Sequence, residues 1–300
     1  KGIDREFYLL FSIFDENDSW YLNKNIETFT GDPSKVDENN EDFKESNKMH
    51  AVNGYLYGNL PGLAMCKDNK VSWHLIGLGS HYDMHGVHFQ GNTIDLRGTT
   101  RDGLALFPHL SGTALMQPDR VGTFKVVCRT FDHFVGGMKH LYEVSSCRNT
   151  TRAQQQHGAM RIYYIAAEEV EWDYVSNKSS APKIYNVSSN EERYLKQEKL
   201  MGMGHTHTAL ITSIFCLNLG PLLHAEVGDS VLIVFKNKAS RPYSVSAHGI
   251  EEVAALGKIV LSVSGEINTY RWNVPERSGP GKTDPNCITW VYYSTANFVK

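Results

Sequence analysis

A chain of 300 residues with 41% apolar side chains has material for about two ordinary cores. Its net charge of −3, with acidic and basic residues interspersed, offers no basic face for nucleic acid or an anionic membrane. No apolar run reaches spanning length, since the nearest, 209–223, is broken by Thr, Asn, Gly and Pro. The opening residues Lys1-Gly2-Ile3-Asp4-Arg5 lack the apolar stretch of a signal peptide, so the chain reads as an internal piece of a longer protein.

Apolar and polar residues alternate from Glu6 to Phe14, which predicts a strand. Short strand-like runs follow at 52–57, 71–78, 86–90, 114–117, 123–129 and 141–144, punctuated by Gly, Pro and Asn. Nothing in this half sustains a helical period, and about seven short strands describe a β-sandwich. Between 28 and 48 lies a polar stretch with Asp32, Asp37, Glu38, Glu41, Asp42 and Glu45, the composition of a solvated loop. A glutamine-rich segment, 148–157, suits a linker. A second β-rich block opens at Arg161-Ile162-Tyr163-Tyr164-Ile165-Ala166-Ala167 and continues with strand-like runs 162–174, 230–235, 243–246, 268–274 and 288–293. The stretch 176–220 carries only weak strand signals, and a structureless loop of that length is unusual inside a compact domain. The boundaries read from this pattern are a domain at 1–147, a linker at 148–160 and a second domain at 161–300.

The chemistry concentrates between Cys128 and Met138. Cys128, His133 and Met138 follow one another at equal spacing, and His85 lies upstream. Two imidazoles, one thiolate and a weak axial thioether make the ligand set of a type 1 copper centre, acceptable to both Cu(I) and Cu(II). Cys128 alone, at the end of Phe124-Lys125-Val126-Val127, would read as a small buried hydrophobe; its company changes the reading. His205-Thr206-His207 sits among glycines and reads as a loop rather than a second metal site. Of five cysteines, Cys66 and Cys147 flank the first block, and bridging them would tie the last strand to the sheet and leave Cys128 free. Asn17, Asn149, Asn177 and Asn186 each open an Asn-x-Ser/Thr acceptor, which together with a disulfide favours an extracellular setting.

Several stretches carry a more specific resemblance. The first block has Asp15-Glu16-Asn17, Glu41-Asp42-Phe43-Lys44-Glu45-Ser46-Asn47-Lys48-Met49-His50, Pro61-Gly62-Leu63, Met65-Cys66 and Leu106-Phe107-Pro108. The second has Tyr163-Tyr164-Ile165-Ala166-Ala167-Glu168-Glu169-Val170, His224-Ala225-Glu226-Val227-Gly228-Asp229, Ser240-Arg241-Pro242-Tyr243-Ser244 and Pro275-Glu276-Arg277-Ser278-Gly279. In these the chain resembles an internal portion of a ceruloplasmin/hephaestin-type multicopper ferroxidase. The resemblance implies an all-β architecture of two cupredoxin-like Greek-key β-sandwich domains, the second incomplete. It places the type 1 copper ligands on His85, Cys128, His133 and Met138 and the disulfide on Cys66 and Cys147. It also places a divalent-ion site, suited to Fe(II), on Glu45, His50 and Asp132.

The activity so implied is oxidation of Fe(II) by one-electron transfer to the type 1 copper, with Cys128 and His133 as the catalytic residues and Asp132, beside His133, giving the electron a short path to the copper. Dioxygen would be reduced at a trinuclear cluster elsewhere in the full-length, secreted or membrane-anchored protein. The family's cluster histidines flank a cysteine, whereas Val127 and Arg129 flank Cys128 here. In the second block one of four family histidines remains, His248, and it reads as a packed or surface histidine rather than a copper ligand. The partners implied are Fe(II) and the remaining cupredoxin domains, and not nucleic acid. Two other readings stand beside this one: a copper electron-transfer module without an iron substrate, and a non-enzymatic interaction protein like the coagulation-factor A domains.

Overall fold

Alternation builds the core from the first strand onward. In β1 (Arg5–Asp15), Phe7, Leu9 and Phe11 turn inward while Glu6 and Tyr8 stay outside. Ten more strands follow in the same unit: β2 (Lys48–Val52), β3 (Ala64–Cys66), β4 (Val71–Gly77), β5 (His85–Phe89), β6 (Ile94–Leu96), β7 (Thr99–Arg101), β8 (Gly103–Leu106), β9 (Ser111–Met116), β10 (Gly122–Cys128) and β11 (Lys139–Ser145). They form a six-stranded sheet ordered β2-β1-β4-β9-β6-β7 and a five-stranded sheet ordered β3-β11-β10-β5-β8. β1 lies parallel to β4, with Leu9 opposite Leu75, and β3 lies parallel to β11. The remaining neighbours are antiparallel, which is the mixed, crossed-over layering of a cupredoxin-like sandwich.

Aromatic rings fill the gap between the sheets. Trp73 of one sheet meets Phe89 and Tyr142 of the other, with centroids 5.0 and 5.7 Å apart. The Tyr142 hydroxyl donates to the Gln90 carbonyl and accepts from Asn92 Nδ2, each at 2.9 Å, whereas the buried Trp73 Nε1 has no hydrogen-bond partner among the described residues. Cys66 and Cys147 are joined in a disulfide that closes the edge where β3 meets β11.

The computed structural model describes residues 2–79, 83–147, 158–170, 207–211, 220–253 and 260–296. They gather into two units, the first drawing on residues up to 147 together with His248–Glu251 and Val274–Val291. In the second unit, Met160–Val170 runs parallel to Ser230–Asn237 and antiparallel to His207–Ile211, and Ser230–Asn237 pairs antiparallel with Ile267–Asn273. Ile165, Val231, Ile233, Phe235 and Trp272 are buried there. Most of 176–220, including Cys216, His205 and the acceptors at Asn177 and Asn186, lies outside the described residues, as does Asn149.

Short elements depart from the sequence reading. α1 (Leu22–Phe29), α2 (Glu41–Ser46) and α3 (Phe131–Val135) stand where no helical period shows, because one or two turns are too short to display one. α2 interrupts the stretch read as a loop, and local chemistry accounts for it. Asn40 caps the helix by accepting from the Asp42 and Phe43 amides at 2.9 and 3.1 Å, and Glu41 and Asp42 lie in its first turn. The strand expected at 52–57 falls instead at Lys48–Val52. Asn53 and Gly54, at φ 51° and 80°, turn the chain just where the strand was expected to start.

Candidate metal centre

The end of β10, α3 and the start of β11 form one tight hairpin. Cys128 closes β10, His133 sits in α3 and Met138 precedes β11. Backbone bonds fold the hairpin on itself: the Cys128 amide donates to the Met138 carbonyl and the Met138 amide to the His133 carbonyl, each at 2.9 Å. Two glycines permit this closeness. Gly137 adopts φ 110°, and a Cβ on Gly136 would stand 2.2 Å from the His50 ring. From the neighbouring strand, β5 brings His85, with Val87 paired opposite Cys128 and the Arg129 amide donating to the Gly86 carbonyl at 2.8 Å.

These placements converge. Nδ1 of His133 lies 3.5 Å and Nδ1 of His85 lies 4.0 Å from Cys128 Sγ, and the two imidazole rings are 4.9 Å apart. The three ligand atoms lie within 4.8 Å of one another and their residues are all buried, with exposures of 2% for His85, 0% for Cys128 and 5% for His133. Met138 is buried in the same core cluster. Burial pushes the His133 imidazole down to about 4, and the neighbouring rings of His85 and His50 add to the shift against the opposing carboxylates of Asp83 and Asp132. His85 is pushed down as well, chiefly by burial. Both rings are therefore neutral at physiological pH, and a neutral imidazole has the lone pair a metal needs. A thiolate and two neutral imidazoles in a dry pocket fit copper of the type 1 class.

The second group of expected ligands is only partly assembled. His50 Nε2 lies 3.4 Å from Glu45 Oε1, and the His50 ring is 5.3 Å from that of His133. Lys48 already holds the other Glu45 oxygen at 2.8 Å, and this ion pair is the main reason the Glu45 carboxyl is held below the ordinary range. Asp132, exposed on α3, does not join Glu45 and His50 in a set of ligand atoms within 4.8 Å. Of the glycosylation acceptors only Asn17 is described. Its side-chain nitrogen donates to Asp15 Oδ1 at 2.7 Å and to the Lys44 carbonyl at 2.9 Å, so a sugar there would displace one of these bonds. Cys287 is exposed and unbridged.

A further cluster was missed in the sequence. His88, Asp102 and His248 each offer a ligand atom within 4.8 Å of the others. The sequence offers no signal for it beyond the presence of these residue types, since the three lie far apart along the chain.

Fold and donor set define the first unit as a cupredoxin-like domain of the copper-binding class. The sequence comparison is more particular. The whole chain is 52% identical over 322 residues to the mouse protein ferroxidase HEPHL1, of which it spans 28%. It is 44% identical over 320 residues to rat hephaestin, spanning 28% of it, and 44% identical over 318 residues to sheep ceruloplasmin, spanning 30%. The chain thus resembles the ceruloplasmin/hephaestin-type ferroxidases along its whole length while spanning less than a third of theirs. No family model matches. Among solved structures, a multicopper oxidase from Campylobacter jejuni aligns with 49% of the chain and 31% of its own at 17% identity and a TM-score of 0.33.

Proposed function

We propose that this chain is the portion of a multicopper ferroxidase that accepts an electron from Fe(II), with copper held by His85, Cys128, His133 and Met138. The supporting observation is the convergence of two Nδ1 atoms and one Sγ in a buried pocket. Copper bound there supplies a one-electron acceptor that cycles between Cu(II) and Cu(I). The chain's residues do the rest. Cys128 would hold the copper through its sulfur, His85 and His133 through their imidazole nitrogens, and Met138 would add a weaker thioether donor. The backbone hydrogen bonds that close the hairpin would hold these side chains in place around a bound ion.

Fe(II) is the substrate, and Glu45 and His50 are the groups offered to it, joined by Asp132 when α3 turns that carboxylate toward them. Fe(II) becomes Fe(III) and its electron passes by way of His133, whose ring faces His50. Glu45 must exchange Lys48 for the ion. The partner domains of the longer protein would carry the electron on to dioxygen, since Val127 and Arg129 flank Cys128 where cluster histidines would stand. The Cys66–Cys147 disulfide supports an extracellular location. Among the described residues no helix is long and apolar enough to cross a membrane.

The test is to load the reduced chain with copper and record visible absorption and electron paramagnetic resonance. An intense thiolate-to-copper band with narrow hyperfine splitting, lost in Cys128→Ser, supports the centre. A colourless protein with copper bound overturns it. If the centre forms, Glu45→Gln should slow oxidation of Fe(II) and leave that of an organic reductant unchanged. Equal slowing of both would leave a copper electron-transfer module without an iron site.

A further inference from the structure

We propose that His88, Asp102 and His248 form a second metal site, for a single divalent first-row ion such as Zn(II), separate from the Cys128 pocket. The three belong to the first unit but come from distant parts of the chain. His88 lies on β5, Asp102 lies between β7 and β8, and His248 lies in the short His248–Glu251 segment of that unit. Their spacing is that of a coordination shell. Asp102 Oδ2 is 3.2 Å from His88 Nε2 and 2.9 Å from His248 Nδ1, and the two rings are 4.6 Å apart. Ligands about 2.0–2.1 Å from a tetrahedral zinc stand about 3.3 Å from one another. Two of the three edges are therefore nearly formed before any ion arrives.

The ligands are held from behind. β5 and β8 are paired at His88 and Gly103, and the Phe89 amide donates to the Asp102 carbonyl at 2.8 Å. The His248 amide donates to the Val291 carbonyl at 2.9 Å. Gly249 follows at φ 66° with its carbonyl accepting from Ser278 Oγ at 2.5 Å, and the Trp290 ring fills the space where any side chain at 249 would go. His88 is 6% exposed and Asp102 9%, while the side chain of His248 keeps 21%, which leaves room for a water as fourth ligand. The donor set of two imidazoles and one carboxylate suits zinc and its neighbours, not Mg(II) or Ca(II).

One residue opposes the ion. Arg129 Nη2 lies 3.3 Å from His248 Nε2, so without metal the guanidinium donates to Nε2 and the ring directs its Nδ1 proton at Asp102. A metal on Nδ1 requires the proton to sit on Nε2, facing a donor. Arg129 must then withdraw, and its charge works against a dication throughout. Replacing it should tighten binding, an outcome a merely hydrogen-bonded triad does not predict.

The test uses the full 300-residue chain carrying Cys128→Ser, to weaken zinc uptake by the other pocket, and Zn(II) alone as the probe. Calorimetric titration should find one zinc per chain. His88→Ala or His248→Gln should weaken it at least about tenfold, and Arg129→Ala should strengthen it. A folded Cys128→Ser chain that binds no zinc, or binds it equally with His248→Gln, overturns the proposal. If Cys128→Ser fails to fold, Co(II) titration of the unaltered chain decides. Cobalt at His88, Asp102 and His248 gives d–d absorption without the thiolate charge-transfer band of the cysteine pocket. That extra component should vanish with His248→Gln, and its persistence or absence from the start overturns the site.

Discussion

The two units share one sheet plan and differ in what hangs from it. In the first, β1 has an antiparallel neighbour on one side and the parallel β4 on the other, and β4 pairs antiparallel with β9. In the second, Met160–Val170 has antiparallel His207–Ile211 and parallel Ser230–Asn237, which pairs antiparallel with Ile267–Asn273. The plan repeats, and the chemistry does not. The opposite layer of the first unit presents His85 and Cys128 from adjacent strands. In the second unit, the short pair Ser246–Ala247 and Tyr292–Tyr293 is flanked by hydroxyls, with Ser244 Oγ 3.0 Å from Thr295 Oγ1. A β-sandwich of this class is a scaffold indifferent to metal, and a few side chains at strand ends decide whether it holds one.

The sharpest break in that comparison is Cys128→Ser. It should remove the intense visible band altogether while leaving the sandwich folded, making the first unit as colourless as the second. Next in size is Trp73→Ala, which empties the centre of the first core and should cost about 3–5 kcal/mol. The loss should appear in the first unit's unfolding transition and spare the second, as amide exchange resolved by region would show.

The metal-free chain should also respond to pH. The folded His133 imidazole titrates near 4 against an ordinary 6.5, so the unfolded state binds the extra proton first as pH falls. The stability this ring contributes is fully present above about pH 6.5 and is lost progressively toward pH 4, up to about 3 kcal/mol. Denaturant melts across that window should show the loss in His133-containing protein and much less in His133→Ala. Bound copper should suppress it. Gly136→Ala drives a Cβ into the His50 ring and should cost about 1–3 kcal/mol while broadening the copper signals. The smallest effect should come from Lys48→Ala. Its partly exposed ion pair with Glu45 contributes no more than about 1 kcal/mol, although removing it frees that carboxylate for the proposed iron site.

Much of the candidate site was legible because its proposed ligands are local. Cys128, His133 and Met138 share one hairpin, and the spacing that marks them in the sequence is the spacing that folds them together. Only His85 required the resemblance or the chemistry to be brought in. The same locality failed at α2 and β2, where an Asn cap and the left-handed Asn53 and Gly54 set boundaries that periodicity cannot see. His88, Asp102 and His248 were illegible for the opposite reason. Nothing in a run of residues marks Asp102 as the partner of a histidine 146 positions later; tertiary packing alone brings them to 2.9 Å.

The Cys66–Cys147 bond spans 81 residues, and all four proposed copper ligands lie inside the ring it closes. Closing a ring of that length removes unfolded-chain freedom corresponding to about 4 kcal/mol in the chain-entropy account. It also keeps the four donors at high effective concentration even when the sheets come apart, so a released ion meets its own ligands again before it meets a competitor. Retention of the metal is thereby coupled to the thiol–disulfide poise of the surroundings. A compartment reducing enough to open this one bond would turn a trap into a leak, with no ligand altered.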